Sequence, residues 1–266
     1  DERLNKLAEL VKPGRIVPAT CDIVDIAGLV KGASQGEGLG NQFLGNIRET
    51  DAIIHVLRCF DNDNIVHVDG SVNPVRDKEI IDAELQLKDL ETVENRIKRV
   101  EKQAKVGGDK QAKIEYDVLV AYRDALLQGK SARTVTFETE DEQNAAKNLF
   151  LLTTKPVLYV CNVDDTSAAN GNPYVEAVRE AIKDEEAELL IISAQTEADI
   201  AELESYEEKQ MFLEDMGLKE SGCDRLIKAI YTLLNLQTFI TAGEMEVKAW
   251  TFRKGWKAPQ CAGVIH

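Results

Sequence analysis

Cys21-Asp22-Ile23-Val24-Asp25-Ile26-Ala27-Gly28-Leu29-Val30 is an apolar run that delivers an acidic residue, with a glycine three positions later. Its continuous, β-branched centre, Ile23–Ile26, predicts a short buried strand with Asp25 at its tip. In a nucleoside-triphosphate hydrolase, a carboxylate so placed holds Mg²⁺ through water, and the glycine N–H reaches the γ-phosphate. A D-x-x-G tetrad alone is a weak signal in a chain of 266 residues. Its position at the end of an apolar strand strengthens it.

Downstream lie the loop Gly32-Ala33-Ser34-Gln35-Gly36-Glu37-Gly38-Leu39-Gly40-Asn41, an amphipathic stretch over Phe43–Glu49, and a second predicted buried strand, Ala52–Leu57. Strand, loop, helix, strand is the α/β alternation that implies a parallel sheet. The loop spells G-x-G-x-G rather than G-x-G-x-x-G and follows an acidic strand tip, which argues against a dinucleotide oxidoreductase. By position it is a switch loop, whose glycines let it reorder around a γ-phosphate.

Four segments emerge. Residues 1–78 are the first part of a nucleotide-binding domain. Residues 79–150 read as an antiparallel helical hairpin: Ala83, Leu87, Leu90, Ile97, Val100 and Ala104 form one stripe and Ile114, Val118, Ala121, Tyr122, Ala125 and Leu126 another. Gly107-Gly108-Asp109 joins them and Gly129 ends the second. Self-packing is the simplest use of such stripes. Residues 151–231 return to α/β, with strands at Pro156–Cys161 and Ala187–Ala194, a helix at Tyr174–Lys183, and a final helix starting over Gly222–Asn235. Residues 232–266 are β-rich, with strands at Val247–Phe252 and Cys261–His266.

Two further motifs stand at predicted strand tips. Asn162-Val163-Asp164-Asp165 fits an N-x-x-D frame, in which the asparagine braces the binding loops and the last acid reads the edge of a base. At Ser193-Ala194-Gln195 a backbone N–H can touch the base. Each acid alone reads equally well as a turn or a helix cap. Together, the three motifs fall where open α/β sheets bind ligands, in the order of a GTPase-type P-loop fold. The separation of Asp25 from Asn162 is long for a plain G domain, and removing the helical hairpin leaves an ordinary length.

Composition narrows the class. The chain is 44% hydrophobic and 30% charged, with a net charge of −15. That balance argues against broad nonspecific nucleic-acid affinity without excluding a local basic face. No apolar run approaches the roughly 18 residues of a membrane span. The five cysteines are scattered, with neither zinc nor disulfide spacing. The expectation is a cytoplasmic protein.

The strings Asp25-Ile26-Ala27-Gly28-Leu29-Val30, Gly36-Glu37-Gly38-Leu39-Gly40-Asn41, Asn46-Ile47-Arg48-Glu49-Thr50-Asp51-Ala52, Arg58-Cys59-Phe60 and Asn62-Asp63-Asn64-Ile65-Val66-His67-Val68 closely resemble the YchF-type Obg-like ATPases. So do Leu234-Asn235-Leu236-Gln237-Thr238, Thr241-Ala242-Gly243 and Ala249-Trp250-Thr251. The resemblance runs over the whole chain. It implies a P-loop NTPase domain, G-domain-like, interrupted by a coiled-coil arm and followed by a β-rich TGS domain. It also implies a strand, a Walker A loop and a switch I ahead of these residues, and a TGS domain continuing past His266. On that reading the 266 residues alone do not hydrolyse nucleotide.

The same resemblance implies an Mg²⁺-dependent ATPase acting as a ribosome-associated switch. Leu29 follows the D-x-x-G glycine, where Ras-like hydrolases keep a glutamine. Leucine cannot bond water, and His67 is the position the family offers for that task. The nucleotide-binding residues implied are Asp25, Ile26, Ala27, Gly28, Phe60, Asn162, Val163, Asp165, Ser193, Ala194 and Gln195, with Asp25 also meeting Mg²⁺ through water. Base choice stays open. Val163 replaces the lysine of GTPases, which favours ATP, whereas Asp165 replaces the family's usual glutamate and is the residue GTPases use for guanine. Partners implied are the ribosome, through its large subunit, and rRNA contacted by Arg96, Lys98, Arg99, Lys102 and Lys105. Arg253, Lys254 and Lys257, beside Trp250 and Trp256, form a second basic cluster. A non-enzymatic ribosome-binding scaffold is the other class of function left open; its binding would not depend on nucleotide.

Overall fold

The computed structural model describes residues 2–26, 40–67, 70–106 and 108–265 (backbone alone over 40–43). Its elements in chain order are α1 (Glu2–Val11), β1 (Arg15–Val17), α2 (Gly40–Glu49), β2 (Ile53–Arg58), α3 (Pro74–Val106), α4 (Lys110–Leu127), α5 (Glu140–Lys147), β3 (Val157–Asn162), α6 (Pro173–Ala181), β4 (Glu188–Ile192), α7 (Ala194–Glu202), α8 (Tyr206–Asp215), α9 (Gly222–Leu233), β5 (Leu236–Ala242), β6 (Glu246–Arg253) and α10 (Ala258–Ala262). They divide into two compact units, Ile26–Gly222 and Asp1–Asp25 with Cys223–His266.

The larger unit is organised by a parallel sheet of order β2-β3-β4. β3 is central, and Val157, Leu158, Tyr159, Val160 and Cys161 are all buried. A strand covered on both faces must be apolar at every position rather than at alternate ones, which is why Pro156–Cys161 is legible as a run. Each such side chain contributes about 1.5–3 kcal/mol on burial. The register sets Arg58 opposite Asn162 and Asn162 opposite Ile192, so the three strands end level. The ladder runs on past them through Cys59 N–H to Asn162 O (2.8 Å) and Val163 N–H to Ile192 O (3.0 Å).

The arm forms as the stripes predict in its outer part. Val93, Ile97 and Val100 of α3 pack on Val118, Leu119, Tyr122 and Leu126 of α4. Asp109 caps α4 by accepting from the N–H groups of Gln111 and Ala112 at 2.9 and 3.1 Å. Gly129 sits at φ +70°, the left-handed conformation that closes a helix. A third helix, α5, adds Ala145 and Ala146 to this core. It starts from a capping box of Thr139 and Glu142.

The inner half of α3 departs from the expected stripe. Ala83 is exposed and so is Leu87, whereas Lys78, Glu84 and Asp89 are buried. The face turned inward mixes these polar groups with Leu85, so hydrophobic periodicity alone does not trace it. Asp89 is fully buried and accepts from Leu152 N–H and Thr153 N–H, each at 2.7 Å, and from the Thr153 hydroxyl at 2.6 Å. Burial still pushes its carboxyl above the ordinary range. Lys78 reaches Asp82 at 2.7 Å and Glu185 at 2.6 Å, and Glu185 also accepts the Tyr159 hydroxyl at 2.8 Å. Burial works against the Lys78 ammonium, but the two carboxylates outweigh it and raise its pKa. The root of the arm is thus bonded to the central strand and to the turn before it.

The smaller unit holds the sheet β1-β6-β5, with β6 parallel to β1 and antiparallel to β5. Leu4, Val247 and Ala249 are its buried centre, with Leu7, Val11 and Ile240 packed around them. Two strand expectations fail at its ends. Residues 18–26 form no strand, and Ile23 and Val24 are 59% and 58% exposed. Ile23 and Val24 belong to no ladder, and apolar residues outside a sheet gain neither its hydrogen bonds nor its cover. Cys261–His266 is likewise no strand: the segment is helical through α10 and turns after it as far as it is described. Pro259, at the start of that helix, supplies no N–H to a ladder. The Gln260 side chain accepts the Lys257 N–H at 2.9 Å.

Candidate functional site

The tips of β3 and β4 gather one cluster. The Asn162 amide oxygen accepts the Ala194 N–H at 3.0 Å, tying the end of β3 to the first turn of α7. Asp165 Oδ1 accepts from two hydroxyls, Ser193 at 2.6 Å and Thr196 at 2.8 Å. Ser193 and Thr196 are themselves buried, so the donors are fixed. The Ser193 oxygen also caps α7 by accepting the Thr196 N–H at 3.1 Å. Asp165 is exposed, and both of these contacts fall on Oδ1 rather than Oδ2. Val163 is buried and supplies only its backbone. The Gln195 side chain turns along α7 to Asp199, at 2.9 Å.

Sequence reasoning singles out Ser193 but passes over Thr196, which stands one helical turn later. An N-cap serine followed at the third position by threonine was the available signal. Asn172 is a second omission. Its amide group donates to Cys59 O at 2.7 Å and contacts the Ser167 hydroxyl at 3.4 Å, while its oxygen accepts the Val175 N–H at 3.2 Å. One side chain thereby joins the loop after β2, the loop after β3 and the start of α6. Asp164, beside Asp165, is held below the usual carboxylate range by the Thr166 hydroxyl and by Ser167.

Phe60 stands in the loop after β2, and Arg58 organises that loop. The guanidinium donates to the carbonyls of Phe60 (3.2 Å), Ile65 (2.9 Å) and Asn62 (3.1 Å). It also lies over the Phe60 ring, 4.8 Å from its centre. Tyr174 closes the other side with its hydroxyl 2.8 Å from Asp61. His67 Nε2 pairs with Asp77, in the first turn of α3, at 2.8 Å.

Asp25 is exposed and is the last residue before the division between the units; Ile26 is the first after it. Ile26 packs on Leu44, Ile47, Leu85 and Leu152. Ala27, Gly28 and Leu29, and the switch loop up to Leu39, lie outside the described residues. Of the basic residues on the arm, Arg96 is paired with Glu115 and Lys105 with Glu101. Lys98, Arg99 and Lys102 are exposed, with no acidic partner among the described residues.

A ribosome-binding ATPase YchF of Bacillus subtilis is 55% identical to the chain over its whole length, which spans 72% of that relative. The chain belongs to the YchF family. The ribosome-binding ATPase YchF of Escherichia coli O157:H7 is 53% identical, with the same coverage. The structure of the Schizosaccharomyces pombe YchF GTPase matches with a TM-score of 0.85 at 36% identity, covering all of this chain and 72% of that one. A family model described as 50S ribosome-binding GTPase matches residues 9–96, and the YchF-GTPase C-terminal model, described as a protein of unknown function, matches residues 236–266. The YchF fold is that of the P-loop GTPases, in line with the order of the strand-tip motifs.

Proposed function

We propose that this protein is an ATP hydrolase that works as a ribosome-associated switch, with the tips of β3 and β4 as the base end of its nucleotide site. The observation that carries the reading is the knit of Asn162, Asp165, Ser193 and Thr196 at level strand ends. On this reading Asp165 and the first turn of α7 meet the base. Val163, Ala194 and Gln195 complete the base end, and Phe60, stiffened by Arg58, forms its wall. Asp25 to Gly28 serve the phosphate end.

When bound, Mg²⁺ would supply positive charge to offset that of the phosphates. Asp25 is the residue of this chain that would hold it. An exposed carboxylate suits contact through water, since Mg²⁺ keeps several waters and takes few protein ligands. Leu29 cannot orient the attacking water, and His67 takes that role through an imidazole nitrogen. The sequence contains no G-x-x-x-x-G-K-[ST] string to cradle the phosphates. The 266 residues taken alone therefore bind ATP weakly and do not turn it over, while the intact natural protein does both.

The S. pombe relative is named a GTPase, and Asp165 favours that second reading. A carboxylate braced on one oxygen and open on the other is suited to accept from guanine N1–H and the 2-amino group. Against it stands Val163, which offers no alkyl stem to pack on the base. Calorimetry on the intact protein separates the two: ATP binding tighter than GTP is the expected result, and the reverse order overturns it.

The arm is proposed as a ribosome contact, to rRNA of the large subunit, in the cytoplasm. Lys98, Arg99 and Lys102 supply the charge. A hollow of about 350 Å³ lined by Thr92, Asn95, Arg96, Arg99, Asn148 and Leu149 lies alongside. Arg96 and Lys105 are spent in ion pairs and contribute less. Cosedimentation with ribosomes should weaken with salt and respond to ATP. Binding indifferent to nucleotide would mark a scaffold instead.

A further inference from the structure

The chain just after α5 sets an aromatic ring in water. Leu149 and Leu151 pack into the core of the arm, while Phe150 between them is 66% exposed. Phe150 also stands at φ +49°, in the left-handed region, with its N–H bonded to Lys147 O at 3.3 Å. A chain that leaves a helix this way usually does so at glycine or asparagine, which meet little steric cost there. Phenylalanine meets the full cost, and an exposed ring gains no burial to offset it. Strain held without burial is a reason to look for a ligand.

The hollow of about 350 Å³ on the arm begins one residue earlier. Asn148 and Leu149 line it from the end of α5, and Thr92, Asn95, Arg96 and Arg99 line it from α3. Two of these side chains are committed elsewhere. The Thr92 hydroxyl accepts from Arg48 Nη2 at 3.1 Å and donates to Lys88 O at 3.0 Å. Arg96 is paired with Glu115. The side chains of Arg99, Asn95 and Asn148 have no partner among the described residues. A guanidinium offers a fixed charge and a planar fork of donors that matches phosphate. The two amides both donate and accept, as a sugar hydroxyl requires.

We infer that this hollow and Phe150 together seat one unpaired nucleotide of ribosomal RNA: the phosphate on Arg99, the ribose hydroxyls on Asn95 and Asn148, and the base stacked on Phe150. The inference rests on the reading of the arm as an rRNA contact. Unpaired RNA is the form that fits, because only a base splayed out of its helix exposes a face to an aromatic ring.

The test uses the intact natural protein and ribosomes. Phe150→Asn should weaken cosedimentation by about tenfold and leave its salt dependence unchanged, since stacking releases no counterion. The same variant should melt at the same temperature as the parent or higher, because asparagine suits the left-handed region. Phe150→Tyr keeps the ring and should hold affinity within about twofold. Arg99→Gln should weaken binding and lower the slope of log K against log salt by about 0.7. With a labelled oligouridylate as probe, Phe150→Asn should lose affinity, whereas with duplex RNA of equal length it should match the parent. A ring that serves the fold alone would give the reverse, a lower melting temperature with ribosome affinity kept by the folded protein. Full ribosome affinity in Phe150→Asn or Arg99→Gln, while Lys98→Gln and Lys102→Gln weaken it, overturns the inference and leaves the arm reading standing. Equal losses on single-stranded and duplex RNA overturn it too. Full affinity in all four variants removes the arm reading, and this inference with it.

Discussion

Two apolar runs in this chain end in an acid, and only one is a strand. Val157–Asn162 leads to Asp165, and Ile23-Val24 leads to Asp25. The first lies between β2 and β4, is buried on both faces, and its acid is braced by two hydroxyls. The second lies outside any ladder, with both apolar side chains more than half exposed. The two have similar composition; what differs is pairing. β-branched residues favour a strand only where neighbours supply hydrogen bonds and cover.

The difference can be broken most forcefully by placing a charge in each run. Val160→Asp buries an unpaired carboxylate in the central strand and should cost at least about 4 kcal/mol, enough to abolish cooperative unfolding of the larger unit. Val24→Asp should change stability by no more than about 0.5 kcal/mol. Urea titrations followed by circular dichroism test both. Equal losses would mean that the two runs are equally buried.

The acids sharpen the contrast next. Asp165→Ala should weaken nucleotide binding by the intact protein by about 2–3 kcal/mol, seen in calorimetry as a loss near a hundredfold. Thr196→Val removes one of the two hydroxyls that aim the carboxylate, leaves Ser193 in place, and should cost about 1 kcal/mol. Asp25→Ala, serving Mg²⁺ through water, should reduce turnover more than nucleotide affinity. Affinity losses in the opposite order would reverse the roles of the two runs.

A smaller effect concerns the edge of the same sheet. His55 on β2 faces Tyr159, with ring centres 5.7 Å apart. Burial lowers its pKa from 6.5, against the pull of Asp82, Glu185 and Asp77 and with the help of Lys78. The unfolded chain then takes up the proton first as pH falls. The stability this site contributes is complete above about pH 6.5 and is lost as pH drops through the folded value, by at most about 1.4 kcal/mol per pH unit. His55→Phe should flatten that slope between pH 7 and 5. An unchanged slope would place the acid sensitivity elsewhere. The mildest test is Asn172→Ala, which unties the loops after β2 and β3 and should cost about 1 kcal/mol of stability.

Much of the larger unit was open to reading because its signals are local. Pro156–Cys161 is apolar at every position and can only be a central strand. Gly108-Asp109 and Gly129 bracket α4 with their own turn chemistry. The inner half of α3 was closed to the same reasoning. Its buried face carries Lys78, Glu84 and Asp89, and an ion pair or a hydrogen-bonded carboxylate has no hydrophobic period. The short helices α5, α7 and α8 went unread because their apolar faces are narrow; the serine and threonine caps that begin them were the signal to use.

By itself, then, the sequence determined the parallel strands and the acid after β3, the helical arm with its turns, and membership of the YchF family, since those rest on residue types at fixed spacings. Tertiary structure alone decided that Ile23–Ile26 stays out of any sheet, that α3 buries Lys78, Glu84 and Asp89 at its root, that Asp165 is aimed by Thr196 as well as Ser193, and that His67 is held by an acid of the arm. Each of those outcomes depends on which distant segment supplies a donor, an acceptor or a cover, and pairing between distant residues leaves no periodic trace along the chain.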